Sequence, residues 1–125
     1  MEIEKKVLVT GATGYVGGRL VRTLLDQGIK VRVFVRDARK VQQYAWASSV
    51  EVVTGNVRDF ETTRKALDGI DIAYYLLHSI NSSTAFDQIE KEMAQNFGSA
   101  AADAQVKQIV YLGRSEEHTS ELQSH

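Results

Sequence analysis

The stretch VLVTGATGYVGG (residues 7–18) limits what this chain can fold into more than any other. Before it, KVLVT (Lys6 to Thr10) is a β-branched apolar run of the kind that forms a buried strand. After it, Val16, Leu20, Val21, Leu24 and Leu25 recur on one stripe of a helix, with Gly28 placed to stop it. The short reversal between strand and helix carries Gly11, Gly14 and Gly17. Glycine is the residue that permits a tight turn and a close approach of backbone to another group.

The rest of the chain repeats this alternation. KVRVFV (residues 30–35), VEVVT (50–54), DIAYYLL (71–77) and QIVYL (108–112) read as further strands. Asp59 is placed to cap a helix running to about Asp68. A longer helix is expected from Ser82 or Ser83, with Phe86, Ile89, Met93 and Phe97 on one face. Between the second and third strands, RDARKVQQYAWASS predicts a short helix plus loop. Strands alternating with helices predict an α/β fold with a parallel sheet covered on both faces. Right-handed crossovers then favour a doubly wound, Rossmann-like order of five strands.

At 125 residues one domain is expected, and a chain that is 43% hydrophobic and 25% charged has enough apolar surface to fold without being a membrane protein. The longest apolar run, Ile72 to Leu77, is too short to span a bilayer. MEIEKKVLVT lacks the cationic segment and long apolar stretch of a secretory signal, so a cytoplasmic location is expected. The absence of cysteine excludes a disulfide scaffold or a thiolate metal site, and no metal site is expected. A net charge of -1 gives no general attraction to nucleic acid or to an anionic membrane, and neither is expected as a partner.

Three glycines alone are weak evidence of function, because glycine is the default turn residue. Placed between a strand and a helix at the head of an alternating pattern, they fit a dinucleotide-binding turn. Gly11 would allow the turn out of the strand, Gly14 the approach of a pyrophosphate, and Gly17 close packing of the helix. The helix N-terminus would offer free N–H groups and partial positive charge to the phosphates. No Gly-Lys-Ser/Thr follows at the spacing a P-loop needs.

TGATGYVGG resembles the Thr-Gly-x-x-Gly-x-x-Gly turn of extended and atypical short-chain dehydrogenase/reductases, and VRVFVRD, VTGNVRD, DIAYYLLHS and IVYLG look like that group's later strands. The likeness runs to the NmrA-like, NAD(P)H-binding members and covers residues 1–113. It implies that Gly11, Thr13, Gly14, Tyr15 and Val16 surround the pyrophosphate, with Gly17 completing the motif. It places Arg36 at the adenosine ribose, Asn56 and Val57 by the adenine, and Leu76, Leu77 and His78 near the inner ribose and nicotinamide. Asn56 stands where the family usually has Asp; an amide keeps an acceptor and adds a donor. His78 has no neighbouring carboxylate or nucleophile in sequence and reads as a loop histidine rather than a catalytic one.

NADP is expected as cofactor because Arg36, followed by Arg39 and Lys40, stands where NAD-preferring sheets carry an acid. Asp37 is next door and keeps NAD open as the alternative. The family's proton donor is a Tyr with a Lys four residues on. The residues four after Tyr15, Tyr44, Tyr74, Tyr75 and Tyr111 are Arg19, Ser48, His78, Ser79 and Ser115, so no catalytic residue is assigned. The resemblance implies a short-chain-type oxidoreductase acting on an unidentified small-molecule substrate, or else a non-catalytic NADP-sensing regulator. The oligomeric state is left open.

The tail is expected to have another origin. Arg114 to Ser124 match, in order, one reading frame of common sequencing-adapter DNA. Residues 1–113 are therefore expected to be the N-terminal part of a dinucleotide-binding domain, incomplete on its C-terminal side, and residues 114–125 a non-native tail that adds no core. This piece is expected to be inactive, with its fifth strand left as an open edge.

Overall fold

A computed structural model describes residues 5–76, 84–112 and 119–123. Five strands lie parallel in one sheet: β1 (Lys6–Thr10), β2 (Lys30–Val35), β3 (Glu51–Thr54), β4 (Ile72–Tyr75) and β5 (Gln108–Leu112). A further strand, β6 (Thr119–Gln123), closes the order β3-β2-β1-β4-β5-β6. The helices are α1 (Tyr15–Asp26), α2 (Phe60–Ala66) and α3 (Thr84–Asp103). From β1 the chain runs outward to β2 and β3, then returns to lay β4 on the other side of β1. This is the doubly wound α/β order expected from the alternating pattern.

The pleat sorts the core into two layers. Val7 and Val9 of β1 join Val31, Val33 and Val35 of β2 and Val21 and Leu24 of α1 on one face. Leu8, Phe34, Ala73, Tyr75 and Ile109 join Ala66, Leu67, Phe97 and Ala100 on the other, under α2 and α3. Strands buried on both faces are near-continuous apolar runs, which is why β1 and β2 were legible in the sequence, whereas β3 at the sheet edge is largely exposed and was legible from its β-branched VEVVT.

Three details differ from the sequence expectation. The stripe of α1 is turned by one residue: Gly17, Gly18, Val21 and Leu24 face the sheet, Leu20 and Leu25 pack at its margins, and Val16 is exposed. Hydropathy does not register a glycine as a buried position, so the contact face was displaced. The helix expected after β2 is two 3₁₀ turns, Ala38–Gln43 and Ala47–Ser49, the first capped by the Asp37 carboxylate accepting from the Arg39 N–H at 3.0 Å. Lastly, β5 is not an open edge. β6 pairs with it antiparallel, from Gln108↔Gln123 to Leu112↔Thr119. An unpaired strand edge accepts any extended backbone, so TSELQ needs no hydrophobic period to pair there. Ser82 and Ser83, expected to start the long helix, lie outside the described residues, and no helix among those described is long and apolar enough to cross a membrane.

Candidate cofactor-binding site

Because β2 and β4 flank β1 and are reached by crossovers in opposite directions, the sheet has its topological switch point at the C-terminal end of β1. Open α/β sheets bind ligands in the crevice outside the strand ends at such a point. Here the chain leaves β1 through Gly11, whose φ of 93° lies in the left-handed region, and turns back so that the Gly14 N–H donates to the Gly11 carbonyl at 3.1 Å. An ideal Cβ on Gly17 would overlap the Gly11 carbonyl oxygen and lie 2.8 Å from Ala12 Cα, so the turn and the first coil of α1 are in backbone contact.

No side chain caps α1, and its first turn contains no carboxylate. The N-terminal N–H groups and the positive end of the helix dipole are thus offered without competition to an incoming anion. By contrast, Asp59 caps α2 by accepting from the Glu61 N–H at 3.1 Å and from the Thr62 hydroxyl at 3.0 Å.

A crevice of about 500 Å³ opens beside the turn. Thr10, Gly11 and Thr13 form one wall. Phe34, Val35, Arg36, Asp37 and Lys40 bring in the end of β2 and the 3₁₀ turn beyond it. Gly55, Asn56 and Val57 contribute the end of β3, and Met93 reaches in from α3. Of the residues singled out in the sequence, Gly11, Thr13, Arg36, Asn56 and Val57 therefore share one crevice. Gly14, Tyr15, Val16 and Gly17 lie next to it on the start of α1, with Tyr15 and Val16 on the surface. Leu76 is buried in the α1-side core, its N–H donating to the Thr10 carbonyl. Leu77 and His78 lie outside the described residues.

The electrostatics of the β2 end are asymmetric. The Asp37 carboxylate takes two parallel bonds from the Arg39 guanidinium, at 3.1 Å each, besides the Arg39 N–H. These contacts hold its carboxyl below the usual carboxylate range. Among the described residues Arg36 makes no ion pair, and it stands exposed at the crevice, with Lys40 beyond it. Across the crevice, the Asn56 side-chain oxygen accepts from the Arg58 N–H at 2.9 Å, which sets the loop while the amide NH₂ is not used in that turn. The Val57 carbonyl accepts from Asn96 of α3 and from the buried Thr63 hydroxyl.

Away from the crevice, Tyr75 packs against Phe97 and Tyr111, with centroids 4.8 and 5.3 Å apart. Burial raises both phenols above their ordinary range. Thr10, Lys40 and Met93 were outside the residues assigned as a site from sequence. Lys40 had a signal in the basic run after β2, whereas Met93 is brought in by tertiary packing.

A family described as NAD(P)H-binding matches residues 11–122. Among curated proteins, the 3 beta-hydroxysteroid dehydrogenase/Delta 5-->4-isomerase of Mycobacterium tuberculosis (strain CDC 1551 / Oshkosh) is 32% identical over 116 residues, 85% of this chain and 30% of that protein. The photosystem II assembly factor Ycf39 of Synechocystis is 33% identical over 115 residues, 86% of this chain and 33% of that protein. Among solved structures, Citrobacter sp. triphenylmethane reductase complexed with NADP(H) superposes with a TM-score of 0.72 at 28% identity, over 85% of this chain and 36% of that one. The chain thus spans about a third of the length of these relatives. Since the match covers most of the chain, from the glycine turn at Gly11 through β2, β3, β4 and β5, the chain belongs to the NAD(P)H-binding family.

Proposed function

We propose that this chain is the NADP-binding part of a short-chain-type oxidoreductase that acts on a small molecule. The observation that carries the NADP preference is the pairing of Asp37 with Arg39. An acid at the end of β2 holds the ribose hydroxyls of NAD. Here that acid is engaged by a neighbouring guanidinium, while Arg36 and Lys40 line the crevice as cations suited to a 2'-phosphate. The bound dinucleotide supplies hydride transfer. The chain's own residues hold and orient it: α1 and the glycine turn at the pyrophosphate, Arg36 at the ribose phosphate, and Asn56 and Val57 at the adenine.

A second reading is a non-catalytic NADP-sensing regulator. It is supported by the assembly factor among the relatives. Turnover of a carbonyl or alcohol substrate by a full-length relative of this chain separates the two.

Calorimetric titration of NADPH and NADH into the full chain and its Arg36→Ala variant tests the cofactor reading. A charge-assisted contact contributes about 1.5–3 kcal/mol, so NADPH binding should weaken roughly 10- to 150-fold with NADH nearly unchanged. Equal losses for both cofactors, or no loss, would remove Arg36 from the phosphate site. No binding of either dinucleotide to the unaltered chain would overturn the function.

A further inference from the structure

Of the large hydrophobic side chains exposed among the described residues, two stand together on the first turn of α1: Tyr15 at 78% and Val16 at 49%. Tyr15 is held in place. The Arg19 guanidinium lies over its ring, 5.3 Å from the centroid, and donates to its hydroxyl at 3.0 Å. One turn further along the same face Arg22 is exposed, and among the described residues it makes no hydrogen bond or ion pair. Two depressions flank this ridge. One, of about 270 Å³, runs past Val16, Leu20 and Thr23. The other, of about 310 Å³, is lined by Gly18, Tyr44 and Trp46 together with Arg19 and Arg22, and about 200 Å³ more carries it past Trp46 to Leu25 and Ser49. Its lining is fixed. The Tyr44 ring packs on Gly18, stacks on Trp46 with 14° between the planes, and is tied through its hydroxyl to the Thr13 carbonyl.

No residue lining this groove lines the dinucleotide crevice, so the groove is a surface of its own and does not depend on the cofactor reading. Its charge is one-sided. Arg19 and Arg22 stand towards the glycine turn, and its single carboxylate, Asp26, stands at the far end. A nucleic acid or an anionic membrane calls for a broad basic surface, whereas this chain carries a net charge of -1. Two guanidiniums about one helical turn apart suit discrete carboxylates instead, since each can donate parallel bonds to one. Arg19 uses one N–H on Tyr15, which leaves it donors for a carboxylate. The 12 residues of α1 give the groove a length of roughly 18 Å, the span of about five or six extended residues. We infer that this groove docks a short acidic segment of another protein, with its carboxylates on Arg19 and Arg22 and an apolar side chain against Trp46. Tyr15, already held by Arg19, gives that segment a preformed edge, which lowers the ordering cost of binding.

Trp46 is the chain's single tryptophan, so its fluorescence reads occupancy of the groove directly. The test titrates the full chain with a synthetic Glu-Glu-Leu-Phe-Glu-Glu peptide, which carries no tryptophan, and with its Gln-for-Glu counterpart. The acidic peptide should give a saturable change in emission, and the Gln peptide should bind at least about tenfold more weakly. Arg19→Glu combined with Arg22→Glu should weaken the acidic peptide at least about tenfold. Lys65→Glu combined with Lys91→Glu makes the same change of charge at exposed sites of α2 and α3, on the other face of the sheet, and should leave binding nearly unaltered. No saturable change, equal binding of the Gln peptide, or full binding by the arginine double variant would overturn the inference. Equal losses in both double variants would reduce the effect to general charge attraction and overturn it as well. Tighter binding of a duplex DNA dodecamer than of the acidic peptide would assign the face to nucleic acid, with the same consequence. The comparison of the two peptides needs only the unaltered chain, so it decides the matter even where a variant fails to fold.

Discussion

The Tyr44 hydroxyl donates a hydrogen bond of 2.8 Å to the Thr13 carbonyl, 31 residues earlier in the chain. The Tyr44 ring also covers Gly18, where a Cβ would come within 3.2 Å of it, and stacks on Trp46 at 4.7 Å between centroids. The segment after β2 is thereby clamped onto the glycine turn. The clamp fixes the basic residues of one crevice wall relative to the phosphate-binding end of α1.

Tyr44→Phe should keep the stacking and lose only the hydrogen bond. A neutral hydrogen bond contributes about 0.5–1.5 kcal/mol, and a loss of that size is expected in denaturant unfolding. NADPH affinity should fall a few-fold, because the turn is less well fixed before binding. Unchanged stability together with unchanged affinity would show that the stacking alone maintains the clamp.

Arg32 ties three elements together. Its guanidinium donates to Glu51 of β3 at 2.8 Å and to the Ala66 and Asp68 carbonyls at the end of α2, at 2.6 and 2.8 Å. The hydrogen bond from Arg32 is the main cause that lowers the Glu51 carboxyl below 4.5, with Lys6 adding to it. A depressed carboxyl contributes stability that is fully present above its unfolded value and is lost as pH falls through the folded one. Melting temperature should therefore fall on acidification below about pH 4.5, and Glu51→Gln should flatten that limb. The effect is expected to be small because the Glu51 side chain is 55% exposed and solvent screens the pair. An acid limb of the same slope in both proteins would assign it to other groups.

The parts of this architecture legible in the sequence were those with a strong local period. Strands buried on both faces had to be near-continuous β-branched runs, and Asp59 marked the start of α2 by its own capping chemistry. The glycine turn was legible because its spacing fell between a strand and a helix. What stayed hidden is carried by tertiary partners. Nothing near Tyr44 in sequence points to Thr13, and nothing near Met93 points to Val57. The pairing of β6 was hidden for the opposite reason, since backbone pairing at an edge does not require a side-chain pattern.

That edge gives a third prediction. TSELQ in β6 carries one large apolar residue, Leu122, so deleting residues 114–125 should change the unfolding free energy by less than about 1 kcal/mol. The deletion should instead expose the N–H and C=O groups of β5 and raise concentration-dependent association, read by sedimentation or light scattering. A truncated chain that stays monodisperse at high concentration would show that the β5 edge does not need the cover of β6.

Gly14 and Gly17 belong to the same motif but should fail in different ways when given a methyl group. At Gly17 the added Cβ meets backbone atoms, the Gly11 carbonyl oxygen and Ala12 Cα, which cannot move without shifting α1 off the turn. Gly17→Ala should therefore lower stability by about 3 kcal/mol or more, near the upper end for overpacking, and lose NADPH binding with it. At Gly14 the nearest atom to an added Cβ is the Gly11 carbonyl oxygen at 3.5 Å, an ordinary contact, and its φ of -87° and ψ of 175° suit any residue. Gly14→Ala should leave ligand-free stability within about 1 kcal/mol of the unaltered chain, since the weaker N-cap and the stiffer unfolded chain act in opposite directions. Its methyl group would nonetheless stand at the head of α1, where a pyrophosphate must approach the backbone, and NADPH affinity should fall at least about tenfold. Thermal melts and calorimetric titrations on the two variants separate these outcomes. Normal NADPH binding by Gly14→Ala would place the pyrophosphate away from the helix N-terminus.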